Sequence, residues 1–226
     1  MVSVVIAAFN EAQTIVESVA EALQCPGARE VIVVDDGSCD LTADLAASAG
    51  ATKVIRLARN SGKAAAMAAG VAEACSDIIL FLDADITGLT PDKMSSIVQP
   101  VVDGRFEMYV GVRARKTIWL NRLLRYTPII GGERAVTRRL WNSVPQHYRE
   151  GFKIEIALNH RAKQFERKMG FALITGTVHQ IKEKKYGLLE GLLRRALMIA
   201  DIMVISFQIY IWDAAKSKLL AARSGE

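Results

Sequence analysis

Two carboxylates, Asp83 and Asp85, flank Ala84 at the end of an apolar run, Ile78–Leu82. Alternate side chains of an extended chain share a face, so both carboxylates point the same way. Two such groups repel each other unless a cation sits beside them. Hard oxygen ligands suit Mg²⁺ or Mn²⁺, and either ion would also bind diphosphate oxygens. Asp83-Ala84-Asp85 therefore reads as a place where a divalent cation meets a phosphorylated ligand.

Two other segments carry related chemistry. In Val33-Val34-Asp35-Asp36-Gly37-Ser38 a carboxylate at a strand end can accept hydrogen bonds from a nucleobase edge or from ribose hydroxyls. Either aspartate could instead cap the helix that follows. Arg59-Asn60-Ser61-Gly62-Lys63 is a basic loop opening a helix, which offers backbone N–H groups and a cation to phosphate. It does not match the Walker pattern GxxxxGK[ST], and Lys63 could instead be a solvated helix residue.

These segments need elements to hold them. Val2–Phe9, Val31–Val34, Lys53–Leu57 and Ile78–Leu82 read as four short strands. Ala12–Leu23, Leu41–Ala49 and Lys63–Ala74 read as the intervening helices, with Ser38 and Asp40 as candidate caps of the second. Nearly continuous apolar strands alternating with helices imply a parallel sheet covered on both faces. Ligands of such sheets bind beyond the carboxyl ends of the strands. Three of the four strands end in Asn10-Glu11, Asp35-Asp36 and Asp83/Asp85, which puts the chemistry on one edge. Beyond Thr90 the pattern loosens. Pro91–Val102 reads as a helix and Met108–Val112 as a strand. Ile129 to Arg134 reads as a strand end or turn entering a helix through Trp141. A helix is expected from Ile154, and a strand over Phe171–His179.

Hydrophobic residues make up 51% of the 226, enough for a sizeable core. Residues 1–104 carry a net charge of −8 and residues 105–226 a net charge of +13. The basic half is suited to something anionic: a substrate phosphate, a lipid surface or nucleic acid. Its basic residues interleave with aliphatics and match no nucleic-acid motif, so no nucleic-acid partner is expected. The first strand–helix turn lacks GxGxxG, which disfavours a nicotinamide dehydrogenase. Cys25, Cys39 and Cys75 are few, odd in number and far apart, as in a reducing compartment. The N-terminal segment lacks a basic leader region, so a cytoplasmic location is expected. Ala196–Trp212 holds one formal charge, Asp201, between Arg194-Arg195 and Lys216. That length suits a helix lying on a membrane surface better than a span. Packing in a core or a homodimer interface is the alternative.

AAFNEA, VVDDGS, RNSGKAAAMAAG and FLDAD follow one another at spacings that resemble family-2 glycosyltransferases of the GT-A fold. The nearest resemblance is to dolichyl- or polyprenyl-phosphate sugar synthases, and then to glucosyl-3-phosphoglycerate synthase-like enzymes. The motifs cover about residues 2–90. Gly131-Gly132-Glu133-Arg134-Ala135 looks like the acceptor loop of such enzymes. The chain departs from the common pattern in two places. Proline is missing before Phe9-Asn10-Glu11, and Ala64 stands where glycine often follows the lysine. The resemblance implies an α/β fold of the Rossmann-like GT-A type, with a mixed, mainly parallel sheet and C-terminal amphipathic or hydrophobic helices. Residues 1–187 would form the catalytic domain, with 1–104 binding the nucleotide sugar and 105–187 the acceptor. Residues 188–226 would be the helical appendage.

The resemblance also implies roles. Ala8, Phe9 and Glu11 would line the nucleotide site, Asp36 the base, and Lys63 its neighbourhood. Asp83-Ala84-Asp85 would hold the diphosphate and the metal, Mg²⁺ or Mn²⁺. In the phosphoglycerate-acceptor enzymes it resembles, a histidine placed like His179 completes the metal site. Glu155 lies between apolar residues, which hints at a partly buried carboxylate able to act as a general base. A phosphate acceptor would attack as an anion and need no base, leaving Glu155 to pair with an arginine or cap a helix. Arg113, Arg115 and Arg134, with Gly132 in the loop, are the candidates for holding an acceptor phosphate or carboxylate.

The expected reaction is transfer from a UDP- or GDP-sugar to a polyprenyl phosphate, with inversion, on the cytoplasmic face of a membrane. A small soluble acceptor such as phosphoglycerate is the alternative. A non-catalytic nucleotide-binding regulatory module is the rival of another class.

Overall fold

The computed structural model describes residues 1–113, 132–149 and 153–179, together with the helical positions Phe207 and Ile211. The chain divides into two compact units, Met1–Gln180 and Ile181–Glu226. Arg115, Gly131 and nearly all of the C-terminal appendage lie outside the described residues.

Seven strands form the main sheet of the first unit. In chain order they are β1 (Val2–Ala8), β2 (Ala28–Asp35), β3 (Lys53–Arg56), β4 (Ile78–Asp83), β6 (Met108–Arg113), β7 (Arg134–Thr137) and β8 (Met169–Ile174). They lie in the order β3-β2-β1-β4-β7-β6-β8. β1 pairs in parallel with β2 and β4, β2 with β3, and β6 with β8, whereas β7 runs antiparallel to both β4 and β6. The sheet is thus mixed and mainly parallel, as expected. A second small sheet pairs β5 (Ile86–Thr87) with β9 (Val178–His179).

The helices are α1 (Ile15–Leu23), α2 (Thr42–Ser48), α3 (Lys63–Glu73), α4 (Pro91–Val102), α5 (Arg138–Ser143) and α6 (Lys153–Gln164). Val2, Val4, Ile6 and Ala8 point to one face of β1 and share a core with Ile15 and Val19 of α1, Ala46 of α2 and Met94, Ile97 and Val101 of α4. Val5 points the other way, onto α3: a Cβ added at Gly70 would sit 2.3 Å from Val5 Cγ1. The missing Cβ of Gly70 is what allows that approach. On the same face Phe81 of β4 packs on Trp141 of α5, with ring centroids 5.3 Å apart. No side chain caps α1. Burying a large apolar side chain contributes about 1.5–3 kcal/mol. A capping bond contributes about 1 kcal/mol, so packing of Ile15 and Val19 holds this helix.

The late region departs from the sequence reading. Residues 134–137 form a strand in the middle of the sheet, beyond the strand end or turn expected over 129–134, and the expected helix through Trp141 is α5, which begins only at Arg138. Ala135 and Val136 are fully buried between β4 and β6, and this burial overrides the weak local signal of a four-residue run. The strand expected over Phe171–His179 is two strands in different sheets, broken at residues 175–177, where Gly176 has φ +71°. No helix among the described residues is long and apolar enough to cross a membrane.

Candidate functional site

The loops after β1 and β2 are stitched together by side chains. Asn10 stands at φ +54°, a left-handed conformation that asparagine tolerates better than most residues. Its N–H donates to Ser38 Oγ at 2.8 Å, and its Oδ1 accepts from Cys39 N at 3.0 Å. Glu11 N donates to Thr42 Oγ1 at 2.9 Å and Ala12 N to Asp40 Oδ2 at 3.2 Å. Burial opposes ionisation of Asp40, but hydrogen bonds from Thr42 and Ala12 outweigh it and hold the carboxyl below its ordinary value. Asp35 accepts from Ser38 N at 3.0 Å and closes the turn. Of the two candidate caps, Asp40 takes Thr42 N at the start of α2, and Ser38 reaches across to Asn10 instead.

Asp36 ties in the third loop. Its two oxygens accept from Ser61 N and Gly62 N, each at 2.8 Å, ahead of Lys63 at the start of α3. An ionised carboxylate offers about four acceptor positions, so capacity remains for a ligand. Gly37 makes the approach possible. Its φ is +73°, and a Cβ there would sit 2.6 Å from the Arg59 carbonyl carbon. Ala8, Phe9 and Glu11 stand on this rim: Ala8 is buried, Phe9 is 41% exposed, and Glu11 is intermediate.

The fourth loop is held from below by α1. β4 ends at Asp83, Ala84 and Asp85 form a turn, and β5 begins at Ile86. The buried Ser18 hydroxyl donates to Ala84 O at 2.8 Å, with Ile86 O at 3.2 Å. Both oxygens of Glu21 accept from the N–H groups of Gly88 and Leu89, at 2.6 and 3.0 Å. Sequence reasoning missed both residues, although their spacing of three places them on one face of α1.

A charged quartet joins the two halves of the unit. Lys63 Nζ lies 2.6 Å from Asp83 Oδ1 and 3.2 Å from Glu155 Oε1. Glu155 Oε2 lies 3.5 Å from the Arg134 guanidinium. Glu155 and Arg134 are nearly inaccessible, and the Lys63 side chain is about one-third exposed. Burial disfavours the Lys63 ammonium, but Asp83 and Glu155 outweigh that cost and raise its pKa above the ordinary value. Glu155 is buried, and Lys63 and Arg134 face its carboxylate, the second being the arginine pairing that the sequence left open beside a general-base role. Arg134 turns its guanidinium toward Glu155. Gly132 presses against the other oxygen of Asp83: a Cβ there would lie 1.9 Å from Oδ2.

Three further candidates are located by their backbones or not at all. His179 pairs with Ile86, next to Asp85. Arg113 ends β6 opposite Ile174. Arg115 lies outside the described residues. Among the described residues no group of three or more His, Cys, Asp and Glu side chains could hold a metal. The donor set of Asp83 and Asp85 nonetheless suits Mg²⁺ or Mn²⁺, which are held by one or two carboxylates together with substrate phosphates. The ammonium on Asp83 stands where a cation would be attracted.

The sequence model of glycosyl transferase family 2 matches residues 3–165. The succinoglycan biosynthesis protein ExoU of Rhizobium meliloti is 44% identical over 88 residues, covering 37% of this chain and 26% of that protein. An undecaprenyl-phosphate 4-deoxy-4-formamido-L-arabinose transferase of Pseudomonas aeruginosa is 32% identical over 125 residues, covering 51% and 36%. The matched regions thus span about a quarter and about a third of these curated relatives. Among solved structures, glucosyl-3-phosphoglycerate synthase from Mycobacterium tuberculosis, in complex with Mn²⁺, UDP and phosphoglyceric acid, superposes with a TM-score of 0.68 at 23% identity. The match covers 85% of this chain and 73% of that one. At that identity the likeness establishes the fold.

Proposed function

Because the chain belongs to glycosyl transferase family 2, we propose that it transfers a sugar from a UDP- or GDP-sugar to a phosphorylated acceptor, a polyprenyl phosphate. One observation carries the reading. The loops after β1, β2, β3 and β4 meet at one sheet edge and bring Glu11, Asp36, Lys63 and Asp83 to it. Open α/β sheets bind ligands at that edge. Asp36, with acceptor capacity left after holding Ser61 and Gly62, would take the base. Ala8, Phe9 and Glu11 would line the nucleotide. Lys63 would reach the diphosphate.

Asp83 and Asp85 would hold Mg²⁺ or Mn²⁺, with the donor diphosphate and His179 as further ligands. The cation would stabilise the negative charge of the leaving diphosphate. The acceptor phosphate oxygen attacks the anomeric carbon from the opposite face, the bond to the diphosphate breaks, and configuration inverts. Such an anion needs no general base, which agrees with a Glu155 that two cations engage. Gly132, Arg113 and Arg115 would face the acceptor, and Arg134 would act on it through Glu155.

The undecaprenyl-phosphate transferases among the relatives favour the lipid acceptor. Phosphoglycerate is the second reading, supported by the ligands of the solved neighbours. The proposed organisation is a transferase domain over 1–187 and a helical appendage over 188–226 that meets the cytoplasmic face of a membrane or a second copy.

Calorimetry on metal-stripped protein tests the donor site, using Mn²⁺ or Mg²⁺ with a panel of UDP-, GDP- and dTDP-sugars. Metal-dependent binding of one donor, lost in Asp85→Ala, supports the reading. A folded protein that binds none of them with metal present rejects it.

A further inference from the structure

Lys63 occupies the carboxylate that the proposed metal would need. Its ammonium lies 2.6 Å from Asp83 Oδ1, while the backbone of Gly132 crowds Oδ2. A divalent ion approaching Asp83 must therefore displace the ammonium or accept its repulsion at close range, which a partly desolvated site strengthens. A second seat is already in place. Glu155 Oε1 lies 3.2 Å from the same ammonium, and the buried Arg134 fixes Glu155 from behind.

We propose that Lys63 is a resident cation that neutralises Asp83 when the donor site is empty, and that arrival of metal and nucleotide together moves it onto Glu155 and the incoming diphosphate. The inference rests on the donor-site reading above and adds an order of binding to it. Metal alone binds weakly, because it competes with a tethered ammonium. Metal with a nucleoside diphosphate binds well, because the diphosphate gives the ammonium a new anionic partner. The coupling is reciprocal, so metal strengthens nucleotide binding by the same factor. Glu155 and Arg134 are positioning residues in this scheme: they set how readily the ammonium leaves Asp83.

The test is Mn²⁺ affinity, read from the spin-resonance signal of free aquo-Mn²⁺, with and without UDP. In the wild-type protein UDP should tighten Mn²⁺ binding by about tenfold or more, within the usual span of coupling between sites. Lys63→Met should bind Mn²⁺ alone about tenfold tighter than wild type and gain less from UDP, keeping only the share that diphosphate ligation of the metal supplies. Lys63→Gln serves as a second neutral variant, and thermal melts establish that each is folded. Glu155→Gln should shift Mn²⁺ affinity the opposite way, because the ammonium then keeps one of its two carboxylate partners among the described residues, Asp83. Neutral variants that bind UDP but take Mn²⁺ no more tightly than wild type overturn the inference and leave the donor site standing. A folded wild-type protein that binds neither Mn²⁺ nor UDP, alone or together, overturns both.

Discussion

The two halves of the first unit build their share of the site in different ways. Up to α4, each functional residue sits at or just past the carboxyl end of a parallel strand, or at the start of the helix that follows it, and neighbouring loops are joined by bonds such as Asn10 with Ser38 and Asp36 with Ser61 and Gly62. From β6 onward the chain inserts β7 antiparallel into the sheet and brings Gly132, Arg134 and Glu155 to Asp83 and Lys63 from far away in sequence. The first half makes a ligand-binding edge. The second half fits against it and fixes its charges.

Breaking the binding edge should have the largest effect. Asp83→Ala is expected to lower the rate of sugar transfer by about 10²–10³-fold, the usual cost of removing one group that stabilises transition-state charge. Its melting temperature should stay close to wild type. A rate within severalfold of wild type would take Asp83 out of the metal site.

Gly132→Ala tests the fit between the halves. The added Cβ would lie 1.9 Å from Asp83 Oδ2 and must displace that carboxylate. Misplacement by about 1 Å costs on the order of 10²-fold in rate. Loss of metal-dependent donor binding, measured by calorimetry on a folded variant, is the expected outcome. Unchanged donor affinity would show that Gly132 serves only the acceptor.

The Arg134–Glu155 pair separates structure from binding. Arg134→Leu leaves the buried Glu155 with Lys63 as its remaining cation. It should destabilise the fold by less than a fully unpaired buried charge would, about 3–5 kcal/mol, read from urea unfolding. The double variant Arg134→Leu/Glu155→Leu should recover much of that loss. A single variant as stable as wild type would contradict the buried pairing.

The smallest effect concerns pH. The folded pKa of Lys63 is raised above its ordinary 10.5. Its contribution is therefore complete below about pH 10.5 and fades only as pH climbs through the higher folded value. The stability difference between wild type and Lys63→Met should be flat from pH 7 to 9. A difference that shrinks over that range would show an ammonium without its anionic partners.

The same contrast explains what the sequence made legible. In the first half, strand, loop and helix follow in order, so AAFNEA, VVDDGS and FLDAD each announce a strand end and its polar loop. Even there, the use of Asp36 on two backbone N–H groups was hidden, because its partners come 25 and 26 residues later. Ser18 and Glu21 were hidden as well: a polar pair on α1 looks solvated until Ala84 O and Gly88 N lie against it. In the second half, β7 has four residues and no alternating pattern. Its burial comes from strands β4 and β6, so no local signal marks it. Glu155 stands between apolar residues in sequence, which marks its burial, but only the fold shows which cations, Lys63 and Arg134, face its carboxylate.

The central claim is that this edge moves a sugar onto a phosphorylated lipid. The direct test is transfer of labelled sugar, from the donor identified by calorimetry, to polyprenyl phosphate in lipid vesicles, with phosphoglycerate in parallel and EDTA as control. Metal-dependent label in the lipid fraction, absent with Asp85→Ala, is the result predicted. Folded, metal-loaded protein that labels neither acceptor would contradict the account, and label on phosphoglycerate alone would move the acceptor from lipid to solution.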